Sequence, residues 1–144
     1  MKILFIVFYM LTAISSFSQN RKAEKLYDKA VKTYDKKNYV KALSLLNKSI
    51  DANPKDADSY NLRGCIFQDL NRHKESIEDF NTSIDLKEDN PDAYFNRANT
   101  YYDLGVYISA IRDYEKSIQL NPTDQDSIEM KKDAENALIE LINE

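Results

Sequence analysis

The chain has 144 residues, with 20 Lys and Arg against 24 Asp and Glu, for a formal net charge of −4. That acidic balance argues against a nucleic-acid partner, because a phosphate backbone is met by basic patches. His73 and Cys65 are the only residues of their kinds. Within one chain they leave no His/Cys metal cluster and no disulfide framework.

The chain opens with Lys2, an apolar run over residues 3–14 broken only by Thr12, and small residues at Ser16 and Ser18. These are the parts of a secretory signal peptide spanning residues 1–18, with cleavage expected after Ser18. The run is shorter than the ~20 apolar residues a bilayer span needs. An uncleaved anchor or a buried first helix is the alternative. Export places the mature protein in the periplasm or outside the cell. Loss of Lys2, the one charge in the leader, moves the net charge from −4 to −5.

Helical periodicity predicts a first hairpin over residues 21–36 and 39–51, with the Lys37-Asn38 pair at its turn. Its apolar positions are Leu26, Ala30, Tyr34, Tyr39, Ala42, Leu43, Leu46 and Ile50. Three junctions follow, at residues 53–56, 88–92 and 121–124. In each, Pro or a capping Asp or Asn stops one helix and starts the next. At the second, Asn90 is the expected cap with Pro91 at the first helical position. Over residues 125–144 the helical period continues. Glu129, Lys132, Asp133, Asn136, Glu140 and Asn143 form a polar face, and Ile128, Met130, Ala134, Ala137, Leu138, Leu141 and Ile142 form a wide apolar arc with Ile139 beside it.

Inside the middle of the chain the sequence repeats. A shift of 34 positions lays Tyr60 on Tyr94, Gly64 on Ala98, Phe67 on Tyr101, Ser76 on Ala110, Phe80 on Tyr114, Ser83 on Ser117 and Ile84 on Ile118. A fixed period in this range marks stacked structural repeats. An aromatic, a small residue, an aromatic, then Ala, aromatic, small and Pro fall at set offsets as Tyr94, Ala98, Tyr101, Ala110, Tyr114, Ser117 and Pro122. This pattern resembles the tetratricopeptide repeat (TPR) family. An earlier copy carries Leu26, Ala30, Ala42, Leu46, Ser49 and Pro54, while Glu88 stands where the family prefers Pro.

The resemblance implies an all-α fold: a right-handed α-solenoid of three helical hairpins over residues 22–124 (about 23–56, 57–90 and 91–124), closed by a capping helix over residues 125–144. In such proteins the exposed stripe of each first helix lines a concave peptide-binding groove. Here that stripe carries Glu24, Tyr27, Asp28, Val31, Tyr34 and Asp35, then Asp58, Asn61, Leu62, Cys65, Gln68 and Asp69, then Asp92, Phe95, Asn96, Asn99, Tyr102 and Asp103. None is Lys or Arg. Glu24, Asp58 and Asp92 fall in first helical turns, where free amides favour acids, but Asp28, Asp35, Asp69 and Asp103 do not.

The expected function is therefore a protein–protein interaction module that holds a basic or amide-rich peptide in an acidic, aromatic groove. Family members that clamp acidic chaperone tails use Lys and Asn on these faces. The matching places here hold Tyr27, Val31, Asn61, Leu62, Asp92 and Asn96, so that partner class is disfavoured. The alternative is a structural component that self-associates or docks into an envelope assembly through Leu138, Ile139, Leu141 and Ile142. No enzyme, metal, cofactor or small-molecule substrate is expected, since two glycines build no phosphate loop and no carboxylate pair sits in an apolar setting. Cys65 is either an exposed thiol, reactive or paired with another chain, or a small apolar filler between helices, and the filler is the simpler reading.

Overall fold

The computed structural model describes the backbone of residues 2–143 and the side chains of residues 16–143. Among them are seven helices and no strand: α1 (Lys2–Tyr34), α2 (Tyr39–Ala52), α3 (Ala57–Asp69), α4 (His73–Leu86), α5 (Pro91–Asp103), α6 (Tyr107–Leu120) and α7 (Gln125–Asn143). The chain falls into two compact units, residues 1–59 and 60–144. The expected all-α class is the class observed.

In the first unit α1 packs on α2 through the fully buried Ala30, Ala42 and Leu46, while Leu26, Tyr34, Tyr39, Leu43 and Ile50 are half-buried. The helix begins at Lys2, well before the expected residue 21. Residues 2–20 contain neither Gly nor Pro, so nothing stops a helix between the apolar run and Arg21. Most of the expected signal peptide falls on residues 1–15, whose side chains lie outside those described.

Each hairpin turns on one left-handed residue. Lys37, Asn71 and Gly105, spaced 34 apart, take φ of 55°, 56° and 71°. At the second turn the Asn71 amide donates to the Gln68 carbonyl and the Arg72 amide to the Phe67 carbonyl, and the same pair of bonds recurs at the other two. This is the Schellman closure, in which left-handed backbone favours Gly. Lys37→Gly should therefore stabilise the protein by up to about 1 kcal/mol. An unchanged or lower midpoint in urea would show that the Lys37 side chain contributes more than its backbone costs.

A serine relay marks the repeat junctions. Ser49 donates to the Ala23 carbonyl (2.8 Å), and Ser59, which also donates to Asp56, lies 3.1 Å from Ser49. Two periods later Ser117 donates to the Pro91 carbonyl (3.1 Å), and Ser127, bonded to Asp124, lies 3.0 Å from Ser117. In the intervening repeat Ala93 replaces the second serine, and the buried Ser83 hydroxyl has no partner among the described residues. Asn90 caps α5 as expected, accepting from the Asp92 amide, with Pro91 following it.

Two features order the second unit. The ring of Phe80, fully buried, lies where a side chain at Gly64 would have to go, and Ala98, Ala110, Tyr114 and Ala134 form the neighbouring cluster. Alongside run two bidentate ion pairs one period apart. Arg63 Nε and Nη2 donate to Asp79 at 2.7 Å each, and the same atoms of Arg97 donate to Asp113 at 2.6 and 2.8 Å.

The C-terminal helix leaves its apolar end uncovered. α7 packs on α6 and touches α5. It buries Ser127 and Ala134 and half-buries Met130, Ala137 and Leu138, but Ile128, Ile139, Leu141 and Ile142 are exposed. A helix lying on one neighbour covers a single stripe, so most of the last two turns face solvent. The expected polar face is exposed throughout.

Candidate peptide-binding stripe

None of the eighteen stripe residues is buried, and all seven acids among them are exposed. Among the described residues no ion pair engages any of these acids.

In the second unit the stripe brings two first helices together. The Asn96 amide donates to Asn61 (3.2 Å) and the Gln68 amide to Asp103 (3.1 Å), joining α5 to α3. Leu62 is half-buried beside Asn61 on α3. Asn99 serves the core as well, accepting the hydroxyl of the fully buried Tyr114 at 2.6 Å. The Phe95 ring lies 5.9 Å from that of Tyr114, and Tyr102 meets Tyr107 edge-on at 5.5 Å. Packing thus fixes the two aromatics that the stripe presents half-exposed.

Asp69 and Asp103 are the last residues of α3 and α5, and Asp35 follows the last residue of α1. There the free carbonyls of a helix end repel a carboxylate, so these acids work against the helices that carry them. Asp92 sits at the opposite, favourable end of α5.

In the first unit Glu24, Tyr27, Asp28 and Asp58 line a recess of about 300 Å³ together with Asn20, Ala23, Asn53 and Asp56. No cation lines it. Val31, Tyr34 and Asp35 continue the row toward the turn, with Tyr34 5.9 Å from the Tyr39 ring. No group of three or more His, Cys, Asp or Glu among the described residues could hold a metal ion.

Cys65 is half-buried on α3. Burial, reinforced by the charges of Asp69 and Asp92, pushes its thiol up to about 12. The thiolate is the nucleophile, so the filler reading is favoured over the reactive one. At pH 8 Cys65 should react with iodoacetamide more slowly in the folded protein than in urea, by about tenfold or more. Equal rates in the two states would show an open, ordinary thiol.

The Arg–Asp pairs escape sequence reasoning, because charges on amphipathic helices read as a solvated face. The signal is present: Arg63 and Arg97, like Asp79 and Asp113, recur one period apart. Arg97 also donates to Asn81 at 2.6 Å and lies over the Tyr94 ring. These arginines brace the helices that carry the stripe.

Sequence models of two repeat families match, one described as "TPR repeat" over residues 64–105 and one as "Tetratricopeptide repeat" over residues 91–124. The fold is that of the tetratricopeptide repeats. The first TPR domain of human RPAP3, solved by NMR, is similar at a TM-score of 0.83 and 22% identity, covering 86% of this chain and 98% of that one. The first TPR of Spaghetti (RPAP3), bound to the HSP90 peptide SRMEEVD, reaches 0.81 and 23%, covering 83% and 95%. The TPR2B domain of yeast Sti1, in a pHsp70 complex, gives 0.76 and 20%, covering 81% and 98%. Among curated proteins none matches this sequence.

Proposed function

We propose that this protein is an exported TPR interaction module, not an enzyme, whose first-helix stripes hold a basic or amide-rich segment of another protein. The observation that carries the reading is the pair Asp69 and Asp103, kept at helix ends that disfavour them, exposed, and unpaired by any cation among the described residues. Beside them Asn61, Gln68 and Asn96 offer amides that match a peptide backbone, and Phe95 and Tyr102 offer aromatic contact area. Peptide binding by structural neighbours supports the class of ligand, since one is bound to SRMEEVD and another is in a pHsp70 complex. The EEVD end of the first of these peptides is acidic. The stripe of the second unit, with Asp69, Asp92 and Asp103 and no Lys or Arg, would repel it, so the charge of the ligand is reversed here.

The test is binding kinetics at two ionic strengths against an array of synthetic peptides graded in charge. Cationic and amide-rich peptides should bind, and association should weaken as salt rises. The triple variant Asp28→Asn, Asp69→Asn, Asp103→Asn should slow association and flatten that dependence, while Tyr102→Ala should mainly speed dissociation. Selection of acidic peptides, or a triple variant with unchanged association, would refute the reading. Export rests on residues 1–18, and N-terminal sequencing of the protein recovered from its own cells should begin at Gln19. An intact Met1 would contradict cleavage.

A further inference from the structure

The face of α1 turned away from the acidic recess is built from the opposite charge. Lys22, Lys25, Lys29, Lys32 and Lys36 recur at intervals of three and four, which puts them on one line about 20 Å long. All five are exposed, and none stands in an ion pair among the described residues. A recess of about 550 Å³ lies along this line, lined by Lys29, Lys32 and Lys36, with Lys41 and Leu45 of α2 on its far wall. No Asp or Glu lines it. Val40, at the start of α2, is 83% exposed. A lysine row on a merely solvated helix needs neither a concave wall nor a half-buried leucine between its charges.

One segment of the same protein has the complementary chemistry. After Lys132 the chain carries Asp133, Glu135, Glu140 and Glu144 and no further Lys or Arg. Glu135 is taken by Lys131, while Asp133 and Glu140 are exposed and unpaired among the described residues. On the same turns Ile139, Leu141 and Ile142 are 57%, 58% and 73% exposed. The polar face at the end of α7 is thus acidic and uncovered, and the α1–α2 face is a lysine-walled trough.

We infer that the end of α7 docks into the lysine trough of a second copy, so that the protein self-associates head to tail. The acidic face of α7, with Asp133 and Glu140 one above the other, meets Lys29, Lys32, Lys36 and Lys41. Donor and acceptor are different surfaces, so each copy offers one of each and the contact is heterologous. Growth past the dimer follows unless a ring closes. The contact is independent of the peptide stripe, since it uses neither Asp69 nor Asp103.

The experiment is light-scattering mass measurement of the mature chain from Gln19 across concentration at low and high salt. The wild type should rise above the monomer mass with concentration at low salt and return to monomer at high salt. Lys29→Glu with Lys36→Glu should weaken association about tenfold or more, as like charges are brought together, and Asp133→Lys with Glu140→Lys should do the same. Mixed in one tube, the two variants should form a mixed complex, because each supplies the surface the other has lost. That rescue excludes loss of folding as the cause. Asp69→Asn with Asp103→Asn should leave the mass curve unchanged. A wild type that is monomeric throughout, association indifferent to the lysine substitutions, no mixed complex, or loss of association in the stripe variant would each overturn the proposal. So would a monomer whose lysines instead bind vesicles of anionic lipid, which would make the trough a membrane-facing surface.

Discussion

Arg97→Met should lower the unfolding free energy by about 3–5 kcal/mol, the usual cost of leaving one member of a buried ion pair without its partner. The guanidinium holds both oxygens of Asp113, whose side chain is 8% exposed, so solvent cannot replace the lost donors. Methionine keeps much of the apolar stem and isolates the charge effect. For a domain of this size the loss should appear as a fall of about 10–20 °C in melting temperature. Adding Asp113→Leu to the same protein should recover most of it, because an apolar pair of similar volume removes the stranded carboxylate. A fall of only one or two degrees for the single variant would mean that water reaches Asp113 and that the pair is a surface ornament.

Gly64→Leu should be at least as damaging. A Cβ built on Gly64 already lies 2.7 and 2.8 Å from Phe80 Cε1 and Cδ1, so a leucine and the Phe80 ring cannot both occupy the space. Expelling a fully buried phenylalanine costs about 3–5 kcal/mol, on the scale of Phe→Ala substitutions. Gly64→Ala is the graded control, since overpacking costs about 1–3 kcal/mol while the better helix propensity of alanine returns about 1. Shrinking the ring, as in Gly64→Ala with Phe80→Leu, should reverse part of the loss. A stable Gly64→Leu protein would contradict the close approach of α3 and α4 on which the second unit is built.

Much of the fold is legible in the amino-acid sequence alone. The hairpin boundaries agree to within a residue or two at α2 and at the Asn90-Pro91 start of α5, because caps, proline and apolar period all speak locally. The uncovered faces of α3 and α5 are legible for the same reason: once the motif assigns Gly64, Ala98 and Tyr114 to the core, they are fixed by helical geometry. What stays hidden depends on pairs far apart in sequence or on backbone. The Arg97–Asp113 bond spans 16 positions and looks like two solvated charges until the helices are packed. The left-handed backbone at Lys37 is hidden because its residue type does not announce it, as Asn71 and Gly105 do at the other two turns. Where cover on α7 ends is not written in its pattern, since its apolar arc is continuous in sequence and its packing on α6 decides it.

The stripe is the centre of the proposed function, and residue-level mapping tests it most directly. Amide and side-chain resonances of the labelled protein should be followed as the tightest cationic peptide from the array is added. The largest shifts should fall on Asn61, Gln68, Asn96, Tyr102 and Asp103, with the Arg97 guanidinium and α7 little changed. Shifts concentrated on the lysine face of α1 or on the end of α7, with the α3 and α5 stripe silent, would contradict a peptide-binding stripe.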